Sequence, residues 1–175
     1  MEDKQEEVRF WALKTTSGGD LEKDYWQNFV AENVVALGWG RISVDPSQVS
    51  DEKLQDATRM AYPDKNYRGI AGKIRKFVDL KPSNRILICR GYSGNQTTPV
   101  HIYGIARVTG PFRDDSSSQW WRFKHDAFIQ IVEQNVPKEV VARSLGKGSL
   151  REAIHELNAV EFQRLVEKLG VNLKA

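Results

Sequence analysis

Apolar positions fall in short blocks whose spacing switches between two and 3.6 residues along the chain. Residues 8–16 open with Val8, Phe10, Trp11, Ala12 and Leu13 and hold no Gly or Pro. They run into Ser17-Gly18-Gly19, which predicts a buried first strand with Lys14, Thr15 and Thr16 at its mouth. Gly18-Gly19-Asp20 reads as a turn. Residues 24–31 read as a helix, and residues 33–39 as a second apolar strand ending on Gly38-Trp39-Gly40. Two helices follow. One spans residues 51–61 behind Ser50. The other opens at Asn66 or Tyr67 and carries Ile70, Ala71, Ile74, Phe77 and Val78 at helical spacing. Gly69 and Gly72 weaken that second helix in isolation, so packing has to hold it.

Residues 85–90 predict a short central strand, residues 100–108 the next, closed by a turn at Gly110-Pro111, and residues 127–132 the last, closed by Val136-Pro137. Everything beyond reads as helical: residues 137–144, 150–157 and 159–169, the last capped by Asn158 and stopped by Gly170. Five or six strands without regular βαβ alternation define an α+β chain with a small, mixed, mostly closed sheet and helices packed outside it. The expected organisation is a disordered polar tail over 1–7, a sheet domain over 8–137, and a helical extension over 138–175 packed on the same domain.

At 175 residues the chain can bury about 70% of its unfolded surface, so its core needs neither disulfide nor metal. Its single cysteine, Cys89, lies in an apolar run. That excludes an intramolecular disulfide and suits a reducing compartment. No apolar run reaches the ~20 residues of a membrane span and no signal-peptide pattern opens the chain, so a cytoplasmic protein away from membranes is expected. The net charge of +3 is only mildly basic, but Arg68, Lys73, Arg75, Lys76, Lys81, Arg85 and Arg90 crowd the middle, a distribution compatible with a polyanion partner.

Catalytic constellations are poor. His101, His125 and His155 have no metal-ligand spacing to one another, to Cys89 or to an acid, so no metal or cofactor is expected. Gly69-Ile70-Ala71-Gly72-Lys73 lacks the spacing and the preceding strand of a phosphate loop. Cys89 reads as a small core residue. The chain reads as a binder, not an enzyme. Aromatic and basic residues recur together: Trp11 with Lys14, Trp39 with Arg41, Tyr92 with Arg90, and Trp120-Trp121 with Arg122 and Lys124. Gathered into one pocket, such indoles would take a planar ligand, a modified nucleobase first among them. Stacking contributes roughly 1–3 kcal/mol per base, enough to offset the few kcal/mol needed to extrude a base from a duplex.

The order and spacing of Phe10-Trp11-Ala12-Leu13-Lys14, Trp26, Ala36-Leu37-Gly38-Trp39-Gly40, the helix from Ile70 to Phe77, residues 86–91, Ile102 to Phe112 and residues 121–137 resemble the EVE domain. This family belongs to the PUA-like superfamily and is similar to YTH domains. The resemblance covers roughly residues 8 to 140. It implies a small β-barrel flanked by helices that reads a modified base in an aromatic pocket, as in the N-terminal specificity modules of modification-dependent restriction systems. The implied partner is DNA carrying a methylated or hydroxymethylated base, 5-methylcytosine or 6-methyladenine for example, together with a nuclease or motor domain or subunit. Modified RNA is the alternative partner, and a small planar metabolite the second alternative. By the same resemblance Lys14, Thr15, Thr16 and Trp39 line the base pocket. Trp11, Gly40 and one of Trp120 and Trp121 stand beside them, while Arg41, Arg68, Lys73, Lys76, Arg90, Tyr92 and Asn95 face the nucleic-acid backbone. Thr15-Thr16 departs from the Ser-Tyr of YTH proteins, so methyladenine in RNA is not implied as the default.

Overall fold

Trp11 and Leu13 are almost wholly buried on one face of the first strand and Ala12 on the other, so this strand sits inside a sheet covered on both sides. The computed structural model describes residues 7–17, 20–90, 99–146 and 152–173. Strand β1 (Phe10–Lys14) pairs in parallel with β5 (Arg85–Cys89) and antiparallel with β8 (Ile154–Leu157). β5 continues antiparallel into β6 (Val100–Asp114), β7 (Phe123–Val136) and β4 (Val34–Leu37), giving the order β4-β7-β6-β5-β1-β8. A two-stranded ribbon, β2 (Thr16–Ser17) with β3 (Asp20–Asp24), leads from β1 into helix α1 (Trp26–Glu32).

All six strands of the sheet contribute to one inner core, closed by α1, α2 (Asp51–Ala61) and α3 (Tyr67–Val78). Leu54, Ile70, Ile74 and Phe77 enter it from the helices. Helices α4 (Lys138–Leu145) and α5 (Ala159–Lys168) close a second core on the outer face with Val141, Phe162, Leu165 and Val166. This mixed α+β architecture is the fold class read from the sequence. The capping at Ser50 and Asn158 also holds, and Asn66 caps α3: each side-chain oxygen accepts a backbone N–H of its helix's first turn.

Besides the strand β3, which the sequence reading does not contain, three elements differ from it. Residues 150–157 do not end in a helix; Ile154–Leu157 is strand β8 on the edge of β1. Ile154 and Leu157, three apart, suit one helix face, but in the strand they enter the inner and outer cores respectively. Gly110-Pro111 does not end the strand of residues 100–108. A register shift between Val108 and Phe112 absorbs the pair as a bulge, and β6 runs on to Asp114. β7 begins four residues before the predicted strand and ends four after it, because the β6–β7 ladder extends both. The predicted turn at Gly18-Gly19, the loop of residues 91–98 and the tail of residues 1–6 lie outside the described residues.

His125 in β7 is fully buried. Its Nδ1 faces the Gly110 carbonyl at 3.1 Å and its Nε2 the Phe77 carbonyl at 2.8 Å, tying the bulge to the end of α3. Burial is the main cause that pushes its pKa below the ordinary histidine value, although both carbonyls favour the proton. Folding therefore disfavours protonation. Stability is full above the unfolded chain's value of about 6.5 and falls as pH drops below it. We expect urea denaturation to show lower stability at acidic pH than at neutral pH, and the difference to shrink in His125→Gln.

Candidate base-binding site

The mouth of β1 is built by backbone pairing. Thr15 N–H donates to the Cys89 carbonyl at 3.1 Å, and the Thr15 carbonyl accepts Tyr25 N–H at 3.0 Å. That places Tyr25, just before α1, against the strand end. The Tyr25 ring lies 6.0 Å from Trp120 and 4.9 Å from Trp121. Phe29, one turn along α1, touches the same two indoles. The end of β4 approaches from the other side. Leu37 pairs with Phe123, so Gly38, Trp39 and Gly40 run beside Trp121 and Arg122. A Cβ at position 38 would stand 3.1 Å from Trp121 Nε1, so glycine there lets the indole lie on the backbone.

Trp39 is half-buried against the inner core and sits at φ 65°, a left-handed backbone that bulky residues rarely adopt. Neither flanking glycine, Gly38 or Gly40, has a positive φ; the turn falls on the tryptophan itself. Strain of this kind persists only where the surroundings over-determine it. Here they do. The Trp39 carbonyl accepts Ile42 N–H, and Arg122 donates to the Ile42 carbonyl at 2.6 Å while its guanidinium pairs with Asp114. Arg41 is exposed, with its guanidinium 5.9 Å from the Tyr62 ring centroid and its N–H on the Tyr62 hydroxyl.

Two polar groups at the strand mouth lack hydrogen-bond partners among the described residues. Thr15 Oγ1 is fully buried with no hydrogen bond among the described residues. Lys14 is 8% exposed, and its ammonium meets no acceptor among them; burial lowers its pKa to about 8. Strand parity separates the two. Thr15 continues the inner face of Trp11 and Leu13, whereas Lys14 continues the outer face of Phe10 and Ala12, opposite Cys89. Thr16 is also buried.

The remaining residues read as site residues are placed as follows. Trp11 is 2% exposed, packs in the inner core and donates Nε1–H to Asn84 at 3.3 Å. A ring enclosed in this way offers no face to a ligand, and this corrects its assignment to the pocket wall. Gly40 is exposed, and a Cβ there would meet only ordinary contact at 3.6 Å. Trp120 is partly exposed and Trp121 8% exposed, so Trp120 presents more of its surface. On α3, Arg68 and Lys76 are exposed and Lys73 is half-buried. Arg90 stands 3.8 Å from Asp24. Tyr92 and Asn95 lie outside the described residues.

The sequence reading missed how the second indole is fixed. Lys124 is 2% exposed and its ammonium donates to Glu32 at 2.8 Å and Asp115 at 2.9 Å, 4.3 Å from the Trp120 ring centroid. Glu32 in turn accepts Trp120 Nε1–H at 2.7 Å. Arg122 and Lys124, the basic residues that recur beside the tryptophan pair in the sequence, are spent on internal carboxylates and carbonyls. No helix among the described residues is long and apolar enough to cross a membrane, and none of them form a His/Cys/Asp/Glu group able to hold a metal ion.

No family model and no curated protein matches this chain. Solved structures do. A hypothetical protein from Leishmania major is 10% identical, with 94% of this chain and 96% of that one covered, at a TM-score of 0.54. The protein Atu2648 from Agrobacterium tumefaciens is 14% identical, with 94% of each chain covered, at 0.51. These two share the fold. The YTH domain of Zygosaccharomyces rouxii MRB1, solved in complex with N6-methyladenosine RNA, aligns at 10% identity over 94% of this chain and 88% of that one, at 0.49.

Proposed function

We propose that this chain is a non-catalytic reader of a modified base in DNA, the base flipped out and stacked on Trp39. One observation carries the reading: a partly exposed indole, Trp39, held in a left-handed backbone directly after Gly38, on whose backbone the Trp121 indole lies. A strained aromatic just past the end of a strand, its turn held through Ile42 by Arg122, is preorganised to stack a flat ring without ordering anything further. The Thr15 hydroxyl, without a hydrogen bond among the described residues, adds a polar group at the end of β1, where the Thr15 carbonyl holds Tyr25 against Trp120 and Trp121. Exposed Arg41 and Arg68 would meet the phosphates around an extruded nucleotide. The EVE-like order of motifs supports the same reading. A nuclease or motor partner would supply the cutting that this domain does not perform.

Trp39→Ala tests it. Losing one stacking face, worth roughly 1–3 kcal/mol, should weaken binding of modified duplex by about 5- to 150-fold and leave affinity for unmodified duplex nearly unchanged. The melting temperature should hold, because Trp39 is not a fully buried core residue. Fluorescence anisotropy with matched modified and unmodified oligonucleotides reads the result. A variant that unfolds, or a wild type with equal affinity for both duplexes, would sink the reader proposal. Tighter binding of the matched RNA would move the target from DNA to RNA. No binding of any oligonucleotide at low salt would favour a small planar ligand.

A further inference from the structure

On the outer face of the sheet, remote in register from the strand mouth, one row crosses four residues: Phe10 pairs with Arg85, Arg85 with Arg107, and Arg107 with Phe128. Directly opposed residues on antiparallel strands stand about 5 Å apart at Cβ, and like charges there repel. Neither guanidinium has a carboxylate or carbonyl partner among the described residues, and Arg107 Nε is buried without any hydrogen bond. Both side chains are half-buried, so water screens the repulsion less than at an open surface. Burial and then the charge of Arg107 push the pKa of Arg85 down. Helix α5 covers one end of the row, where Phe162 lies 4.7 Å from Phe10. It leaves the other end open: Phe128 is 41% exposed, with the Arg107 guanidinium 5.9 Å from its ring centroid.

We propose that Arg85 and Arg107 form an anion site that takes a phosphoryl group. Two adjacent guanidiniums supply several N–H donors and two positive charges, which matches the oxygens and the double charge of a phosphate monoester. The open Phe128 ring gives the rest of the ligand an apolar surface to lie on. This site is independent of the base-reading proposal, since it lies on the opposite face of the sheet from the inner core against which Trp39 packs.

The probe is inorganic phosphate at constant ionic strength, with chloride as the reference. Arginine Nε–H resonances of the full chain are followed by NMR, alongside thermal melts. Saturable shifts of the Arg107 resonance are expected in wild type and in Trp39→Ala. In Arg85→Gln, phosphate binding should weaken about tenfold or more, while the melting temperature in chloride should stay level or rise because one of two opposed charges is gone. No saturable shift, or undiminished binding by Arg85→Gln, would overturn the site. A large fall in melting temperature in chloride for both Arg85→Gln and Arg107→Gln would also overturn it, assigning the arginines a structural role. Comparing DNA strands with and without a 5′-phosphate then tells a terminal phosphate from backbone diesters. Only preferential binding of the phosphorylated strand supports a monoester; equal binding assigns the pair to the backbone.

Discussion

Lys124→Met should destabilise the protein by about 3 kcal/mol, the low end of what breaking a buried ion pair costs. The ammonium is 2% exposed and is shared by Glu32 and Asp115, whose side chains remain 39% and 25% exposed. Removing it leaves two carboxylates facing one another across an apolar gap. Their partial exposure lets them turn toward water, which keeps the loss from the top of the range. The same ammonium lies against Trp120, and Glu32 holds Trp120 Nε1–H. The indole thus loses a cation–π contact of about 0.5–2 kcal/mol and the anchor's fixed geometry. Weaker selectivity for a modified duplex should accompany the lost stability. Asp115 adds a pH signature. Hydrogen bonding from Lys124 is the main cause that lowers its pKa, so its contribution is present above the ordinary aspartate value and lost as pH falls below it. Lys124→Met should remove that acid sensitivity. Urea denaturation at neutral and acidic pH checks both effects, and a loss below about 1 kcal/mol would show that the pair behaves like a surface salt bridge.

Lys14→Met should act in the opposite direction. Lys14 is also buried, but no carboxylate or carbonyl among the described residues receives its ammonium, and burial lowers its pKa from the ordinary lysine value of 10.5 to about 8. Below pH 8 the folded state carries the full penalty of a desolvated charge. As pH rises from 8 toward the unfolded chain's value the penalty fades, so stability climbs across that window. At about 1.4 kcal/mol per pKa unit the penalty is on the order of 3–4 kcal/mol, and methionine, of similar length and uncharged, removes it. Higher stability at neutral pH and loss of the alkaline rise are the expected results. If a ligand oxygen is what Lys14 awaits, the same change should weaken binding by about tenfold or more, the worth of a hydrogen bond to a charged group. A stability gain with unchanged nucleic-acid affinity would remove Lys14 from the site and leave it a strained core residue. A fall in stability would mean that the ammonium is paired.

These two lysines mark the limit of the sequence. In the chain both are charges beside aromatic residues, and nothing local separates them. Lys124 meets Glu32 across 92 positions, and Lys14 meets no acceptor among the described residues. Trp11 and Trp39 divide in the same way. Both sit in apolar strand segments of the sequence, yet β1 runs between two partner strands and seals Trp11, while Trp39 follows β4, an edge strand, and stays half-open.

What the sequence determined by itself were the properties carried by neighbours along the chain. Helix periodicity placed α2, α3 and α5, side-chain caps set their starts, and apolar runs placed β1, β4 and β5. Each depends on contacts within a few residues, so each is written locally. Tertiary structure alone decided that Ile154–Leu157 becomes a strand, since a spacing of three is equally a helix face and a strand buried on both sides. It decided that Gly110-Pro111 is a bulge, because the partner strand β7 keeps the ladder going past it. It also decided which charges are spent inside the fold and which stay available. Burial and pairing depend on residues brought together from far apart, and no local pattern encodes that meeting.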